Sequence, residues 1–180
     1  MKNSITKNIV ISALCIALCY LLPFVTGQLP QINSIFSPMH LPVLLCGIIC
    51  GPFYALTVGA VSPIFRSLIL IMPPMFPTAI AMAFELATYG FFSGIIYNTM
   101  KKNSKIKDIW AICISLVSAL ISGRIIWGIV TAILTGISGN TYTFGAFVTT
   151  VFIQGFPGIL CQIIIIPLLV LALKKAKVII

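Results

Sequence analysis

Charge is what this sequence has least of. Only two of its 180 residues are acidic, Glu85 and Asp108, and charged residues make up 7% of the chain against 60% hydrophobic. A soluble domain carries about 25% charged residues. The composition therefore excludes an ordinary soluble protein and implies an integral membrane protein. Histidine is nearly absent as well, His40 being the only one. A single imidazole without nearby carboxylates argues against a metal site, and neither metal nor cofactor is expected. No GxxxxGK[ST] loop is present, so no ATPase is expected within this chain. If transport through it is driven by ATP, another subunit supplies the energy. No motif pairs a nucleophile with a base and an orienting acid, so the chain is not expected to be an enzyme.

Cysteine is present, but not in a form that staples a fold. Cys15, Cys19, Cys46, Cys50, Cys113 and Cys161 all lie in apolar runs, where thiols behave as small hydrophobes. Cys15/Cys19 and Cys46/Cys50 are four apart, so each pair shares a helix face. A metal cluster needs the two pairs to meet, and nothing in the sequence says that they do. Small-residue packing is the expectation, with no disulfide framework.

The basic residues are sorted. Lys2 and Lys7 precede the first apolar run, Lys101, Lys102, Lys105 and Lys107 share one loop, and Lys174, Lys175 and Lys177 follow the last run. The net charge of +9 therefore reflects short groups flanking apolar segments, the positive-inside pattern, and not a nucleic-acid-binding face. The first run lacks a small-x-small cleavage site before a soluble domain, so it reads as a retained helix and not a signal peptide.

Apolar runs of about 20 residues mark membrane helices. They fall at roughly 8–24, 40–50 (short), 53–72, 77–98, 109–135 and 147–173, with breaks at Gly51-Pro52 and at Met72-Pro73-Pro74-Met75-Phe76-Pro77. The intervening loops are 25–39, 101–108 and 136–145. The expected fold is all-α, a single domain over residues 1–180, an integral membrane bundle of six transmembrane helices. Six spans put both termini and all three lysine groups on one side, which the positive-inside rule makes cytoplasmic. The opposite loops carry no Lys or Arg. Without the Gly51-Pro52 break the count becomes five and this agreement is lost.

Three charges remain deep in apolar stretches: Arg66, Glu85 and Arg124. At about 1.5 Å per residue, Arg66 falls in the outer half of the third helix. Glu85 falls about two turns below the outer surface of the fourth, and Arg124 near the middle of the fifth. His40 opens the second helix at its outer end, and Gln154 lies in the outer half of the sixth. Asn140, Thr141, Tyr142 and Thr143 occupy the last outer loop. A pocket open to the outside would collect these groups. The plainer reading is an internal ion pair of Glu85 with Arg66 or Arg124. That leaves one cation at depth without a counter-ion, which is costly. An anionic ligand would neutralise it, and arginine suits a carboxylate through bidentate hydrogen bonds. Arg124 has further options in water or a backbone carbonyl. Trp127, three residues on, either walls the pocket or packs on lipid or another helix. Asn140 and Tyr142 are loop residues that could close a pocket mouth. Gln154 is equally suited to helix–helix hydrogen bonding. Trp110 reads as an interfacial anchor.

On the first helix Ala13 and Ala17 are four apart, a small strip of the kind that lets another helix approach closely in lipid. This strip, the six helices and the basic ends occur together with Met39-His40-Leu41-Pro42-Val43-Leu44-Leu45-Cys46-Gly47, Gly51-Pro52 and Gly59-Ala60-Val61-Ser62-Pro63. They are followed by Met72-Pro73-Pro74-Met75-Phe76-Pro77, Glu85-Leu86 and Tyr89-Gly90. The chain resembles the substrate-binding S components of energy-coupling factor (ECF) vitamin transporters along essentially its whole length, and the 39–90 pattern looks like the pantothenate type. The resemblance implies a subunit that captures a vitamin or precursor from outside and docks on a membrane coupling protein driven by two cytoplasmic ATPases. It implies that Ala13 and Ala17 mark the docking face and that loop 25–39 covers the pocket. No ligand-contact motif carries over, since binding residues in this family differ with substrate. The two arginines favour a carboxylate-bearing vitamin, pantothenate first, with folate, niacin, lipoate and biotin open. The competing classes are a proton-coupled secondary carrier using Glu85, a non-catalytic membrane scaffold, and an intramembrane enzyme for which no catalytic set is found.

Overall fold

The computed structural model describes residues 2–25, 38–71, 73–102, 107–137, 145, 149 and 156–176. Helix α1 spans Lys2–Val25 and α2 spans His40–Cys50. Helix α3 spans Pro52–Leu70. An irregular turn at Met75–Ala79, in which Phe76 is extended (φ −118°, ψ 132°), leads into α4 at Ile80–Lys101. Helices α5 and α6 span Asp108–Ile137 and Phe156–Lys175.

The breaks follow from residue chemistry. Gly51 sits at φ 96°, a conformation that side-chain-bearing residues resist. Pro52 follows at the first position of α3, where its missing N–H costs nothing. The chain therefore reverses within one residue. The proline pair Pro73-Pro74 ends the next helix, and Ser67 Oγ donates to the Pro73 carbonyl oxygen at 2.8 Å, tying the end of α3 to the turn.

Among the described residues, five helices are long and apolar enough to cross a membrane: Ile5–Pro23, Pro52–Leu70, Met75–Lys101, Asp108–Ile137 and Gly158–Lys175. The eleven residues of α2 reach about 16 Å, half of a hydrocarbon core of about 30 Å. Six helices are thus described, but α2 by itself is too short to be a span. The segment before it, 26–37, lies outside the described residues, as does the expected start of the last helix at 147–155 apart from Thr149.

Helix α4 is the centre of the bundle, packed on α2, α3 and α5; α1 lies on α2 and α3, and α6 on α5 and α2. Small residues set these distances. A Cβ on Gly90 would lie 2.5 Å from the Ala55 carbonyl oxygen, and one on Gly94 would lie 2.6 Å from Pro52 N. A Cβ on Gly123 of α5 would collide with the Tyr89 ring, so that glycine is what lets Tyr89 lie flat between α4 and α5. The four cysteines of α1 and α2 are buried, and the Cys46 thiol meets both Cys15 and Cys50. The two pairs therefore do come together, as packing. Among the described residues no group of three or more His, Cys, Asp or Glu side chains is placed to hold a metal ion.

At the lysine-bearing end, Lys174 Nζ is 2.7 Å from Asp108 Oδ2 and donates to Tyr97 Oη at 2.9 Å. Lys101 and Lys174 both approach the face of the Tyr97 ring, at 6.0 and 5.6 Å from its centroid. The ends of α4, α5 and α6 are joined here.

Candidate functional site

Toward the other end of the bundle, the chain's polar groups converge on one atom. Glu85 is 2% exposed. Its Oε1 accepts a 2.6 Å hydrogen bond from Tyr89 Oη, one turn further along α4. Arg124 Nη1, from α5, is 3.4 Å from the same oxygen, and His40 Nε2, from the start of α2, is 3.8 Å away. The His40 and Tyr89 rings lie 5.3 Å apart, tilted by 51°. Three helices therefore contribute to the surroundings of one carboxylate. Each side chain is placed by its helix: Glu85 and Tyr89 by their i, i+4 spacing, His40 by the turn that opens α2, and Arg124 by the face of α5 that Gly123 brings against α4.

This arrangement resolves one of the two readings left open by the sequence. Glu85 pairs with Arg124, and Arg66 does not join the pair. Arg66, on α3, is buried at 9% exposure. Its Nη1 donates to the Met39 thioether sulfur at 3.2 Å, and its Nε has no acceptor among the described residues. Met39 is fixed in turn, since its carbonyl oxygen accepts from the Cys19 thiol at 3.4 Å. A thioether is a weak acceptor and carries no negative charge. The whole chain has only two acidic side chains. Glu85 is engaged by Arg124, and Asp108 is held by Lys174 at the far end. Arg66 is thus a buried guanidinium for which the chain offers no spare side-chain carboxylate.

Of the other expected site residues, Trp127 is half-buried on α5. Asn140, Tyr142 and Gln154 lie outside the described residues. Ala13 and Ala17 are exposed on α1, on the side opposite to Ser12, Cys15 and Cys19, which are buried. Sequence reasoning missed two participants, Tyr89 and Met39, and one further buried polar residue, Gln162. Tyr89 had a usable signal in its spacing from Glu85. Met39 had none, because a thioether partner for arginine leaves no pattern. Gln162, a buried amide on α6, was hidden in an apolar run. A shallow apolar groove of about 440 Å³ between α3 and α4, lined by Leu56, Ala60, Ile64, Phe84 and Phe91 among others, contains none of these polar residues.

These features define an all-helical membrane bundle with a buried polar site assembled from several helices. The model of the family "ECF transporter, substrate-specific component" matches residues 7–170, and the chain belongs to that family. Its members are transport subunits and not enzymes, and they work with ECF coupling and ATPase components on a small-molecule substrate. No curated protein and no solved structure matches the chain.

Proposed function

We propose that the chain captures a carboxylate-bearing water-soluble vitamin or precursor from the outside, for an importer powered by two ATPases on a membrane coupling protein. Pantothenate is the first choice, on the resemblance of the 39–90 segment. One observation carries the reading: Arg66 is a buried cation whose Nη1 donates to a thioether and whose Nε has no acceptor among the described residues, in a chain whose two acidic side chains are both engaged elsewhere. A ligand carboxylate supplies the missing charge and two acceptor oxygens, and it displaces a weak contact rather than a strong one. Arg124 and Glu85 then frame the pocket as a neutral pair, with His40 and Trp127 beside them. Asn140, Tyr142 and Gln154 are proposed to complete it. Both termini and the lysine groups are proposed to face the cytoplasm, on the positive-inside pattern.

The test is thermal stabilisation of the detergent-purified chain across a panel of water-soluble vitamins. A ligand that prefers the folded state stabilises it by about 2.7 kcal/mol at one hundred times its Kd. The expected result is a shift with one acidic vitamin that disappears in Arg66→Ala. A shift with neutral riboflavin or cationic thiamine that survives Arg66→Ala would refute the anion-pocket reading. No shift with any vitamin would refute the vitamin-capture reading and point to a substrate outside the panel.

A further inference from the structure

Helix α6 reads FPGILCQIIIIPLLVLALKK, and its one amide side chain stands in the middle of an apolar run. Gln162 is 1% exposed, and neither its amide oxygen nor its amide nitrogen has a hydrogen-bond partner among the described residues. A buried amide left in that state bears the full loss of its hydration. If packing were its only role, an aliphatic residue would serve better at this position.

Its height in the bundle follows from a shared contact. Lys174 on α6 touches Tyr97 on α4 and Asp108 at the start of α5. Gln162 is twelve residues from Lys174 along α6, and Glu85 is twelve residues from Tyr97 along α4, about 18 Å in each case. Helix α6 packs against α5 and α2, the helices that bring Arg124 and His40 to Glu85. Gln162 and Glu85 therefore stand the same number of residues from that shared contact, and α6 touches the helices that bear the partners of Glu85. Both ring nitrogens of His40 are likewise buried without a hydrogen-bond partner among the described residues. Glu85 is thus engaged by Arg124 and Tyr89, whereas His40, Gln162 and Arg124 Nε have no hydrogen-bond partner among the described residues.

We propose that Gln162 reads the substrate, which carries, besides its carboxylate, a neutral group presenting a hydrogen-bond donor and an acceptor side by side. The inference rests on the capture-site reading above. A glutamine amide offers one carbonyl acceptor and two N–H donors in a plane. Its complement is a ureido edge or an α-hydroxyamide. A carboxylic acid whose remainder is a dithiolane offers it neither, and one whose remainder is a bare pyridine ring offers an acceptor but no donor for its carbonyl oxygen.

The experiment uses the full chain in detergent, wild type and Gln162→Leu, with five probes. Biotin has a carboxylate and a ureido group. Pantothenate has a carboxylate and an α-hydroxyamide, and pantothenol keeps that amide without the carboxylate. Lipoate and nicotinate have the carboxylate alone. Dissociation constants and ligand-free melting temperatures are measured. Biotin or pantothenate is expected to bind, Gln162→Leu to weaken it by about tenfold or more, and the ligand-free melting temperature to hold or rise. Tight binding of lipoate or nicotinate, or unchanged affinity in Gln162→Leu, overturns the inference and leaves the carboxylate reading intact. Pantothenol binding as tightly as pantothenate, and depending on Gln162, removes the carboxylate reading and keeps the inference. Binding of no probe overturns the inference, and the carboxylate reading falls with it unless folate, the remaining acidic vitamin, binds. If Gln162→Leu does not fold, Gln162→Met keeps the volume without the amide. If both fail, the choice among probes by the wild type decides.

Discussion

Arg66 and Arg124 bring the same charge into the bundle on different terms, and single substitutions should separate them. Arg124 neutralises Glu85 at 3.4 Å. Its removal leaves a buried carboxylate with Tyr89 and His40 as its support among the described residues, and breaking a buried pair from one side costs about 3 kcal/mol or more. Arg124→Ala is therefore expected to lower the ligand-free melting temperature sharply, measured by thermal unfolding in detergent. Replacing both Glu85 and Arg124 by residues of similar size without charge should cost much less than Arg124→Ala alone. Arg66 has no such partner to abandon. Arg66→Ala gives up a thioether contact and relieves an uncompensated cation, so the ligand-free melting temperature should change little. Affinity for an acidic vitamin should fall about tenfold to a hundredfold, the equivalent of a charge-assisted hydrogen bond of about 1.5–3 kcal/mol. Titration calorimetry on the two variants checks both statements. A large loss of stability in Arg66→Ala would make Arg66 structural.

Among the elements, the seam of α4 against α2 and α3 is where the bundle tolerates least. A side chain at Gly90 meets the Ala55 carbonyl at 2.5 Å, and a backbone atom cannot swing aside. Overpacking of this kind costs about 1–3 kcal/mol or more, so Gly90→Val should lower the melting temperature strongly or prevent recovery of folded protein. Gly136, near the end of α5, is the contrast: a Cβ added there would meet nothing within 4 Å among the described residues. Gly136→Ala should be neutral or stabilise the helix by about 0.5–1 kcal/mol. Equal effects at the two sites, read by size-exclusion profile and thermal melt, would count against close packing at the seam.

The helices themselves were largely legible in the sequence. Apolar runs and Gly/Pro breaks placed α2 at 40–50, as found, and α3, α4 and α5 within about three residues of their observed ends. What was not legible concerns partnership across helices. Hydropathy gives depth along an axis but not rotation about it. Glu85 and Arg124 could be put at similar heights, yet nothing in the sequence said which arginine faces the carboxylate. Gln162 was lost for the opposite reason, since one amide barely alters the mean of an apolar run. The meeting of Cys15 with Cys46 has the same origin: a small buried residue signals burial and not its neighbour.

For the whole molecule, the question is which surface the chain leaves for other subunits. Helix α1 is the least buried of the five long helices. One of its faces carries Ser12, Cys15 and Cys19 against the bundle, while Val10 (62% exposed) and Leu14 (60%) lie on the opposite side together with the exposed Ala13 and Ala17. In lipid, exposed apolar surface alone gives no drive to associate, and close approach through small residues supplies it. The arrangement therefore suits a partner helix that seats on the alanines. Ala13→Trp should leave ligand affinity of the purified chain unchanged, because Ala13 is exposed and points away from the buried face of α1 that carries Cys15 and Cys19. The same substitution should abolish vitamin uptake in cells that supply the coupling protein and ATPases. Leu168→Trp, at a lipid-exposed position on α6 (68% exposed), is the control and should transport normally. Normal uptake by Ala13→Trp would remove α1 as the docking face. Loss in both variants would show that added bulk anywhere on the apolar surface is disruptive. Loss in Ala13→Trp alone, with binding intact, separates capture from delivery and assigns delivery to α1.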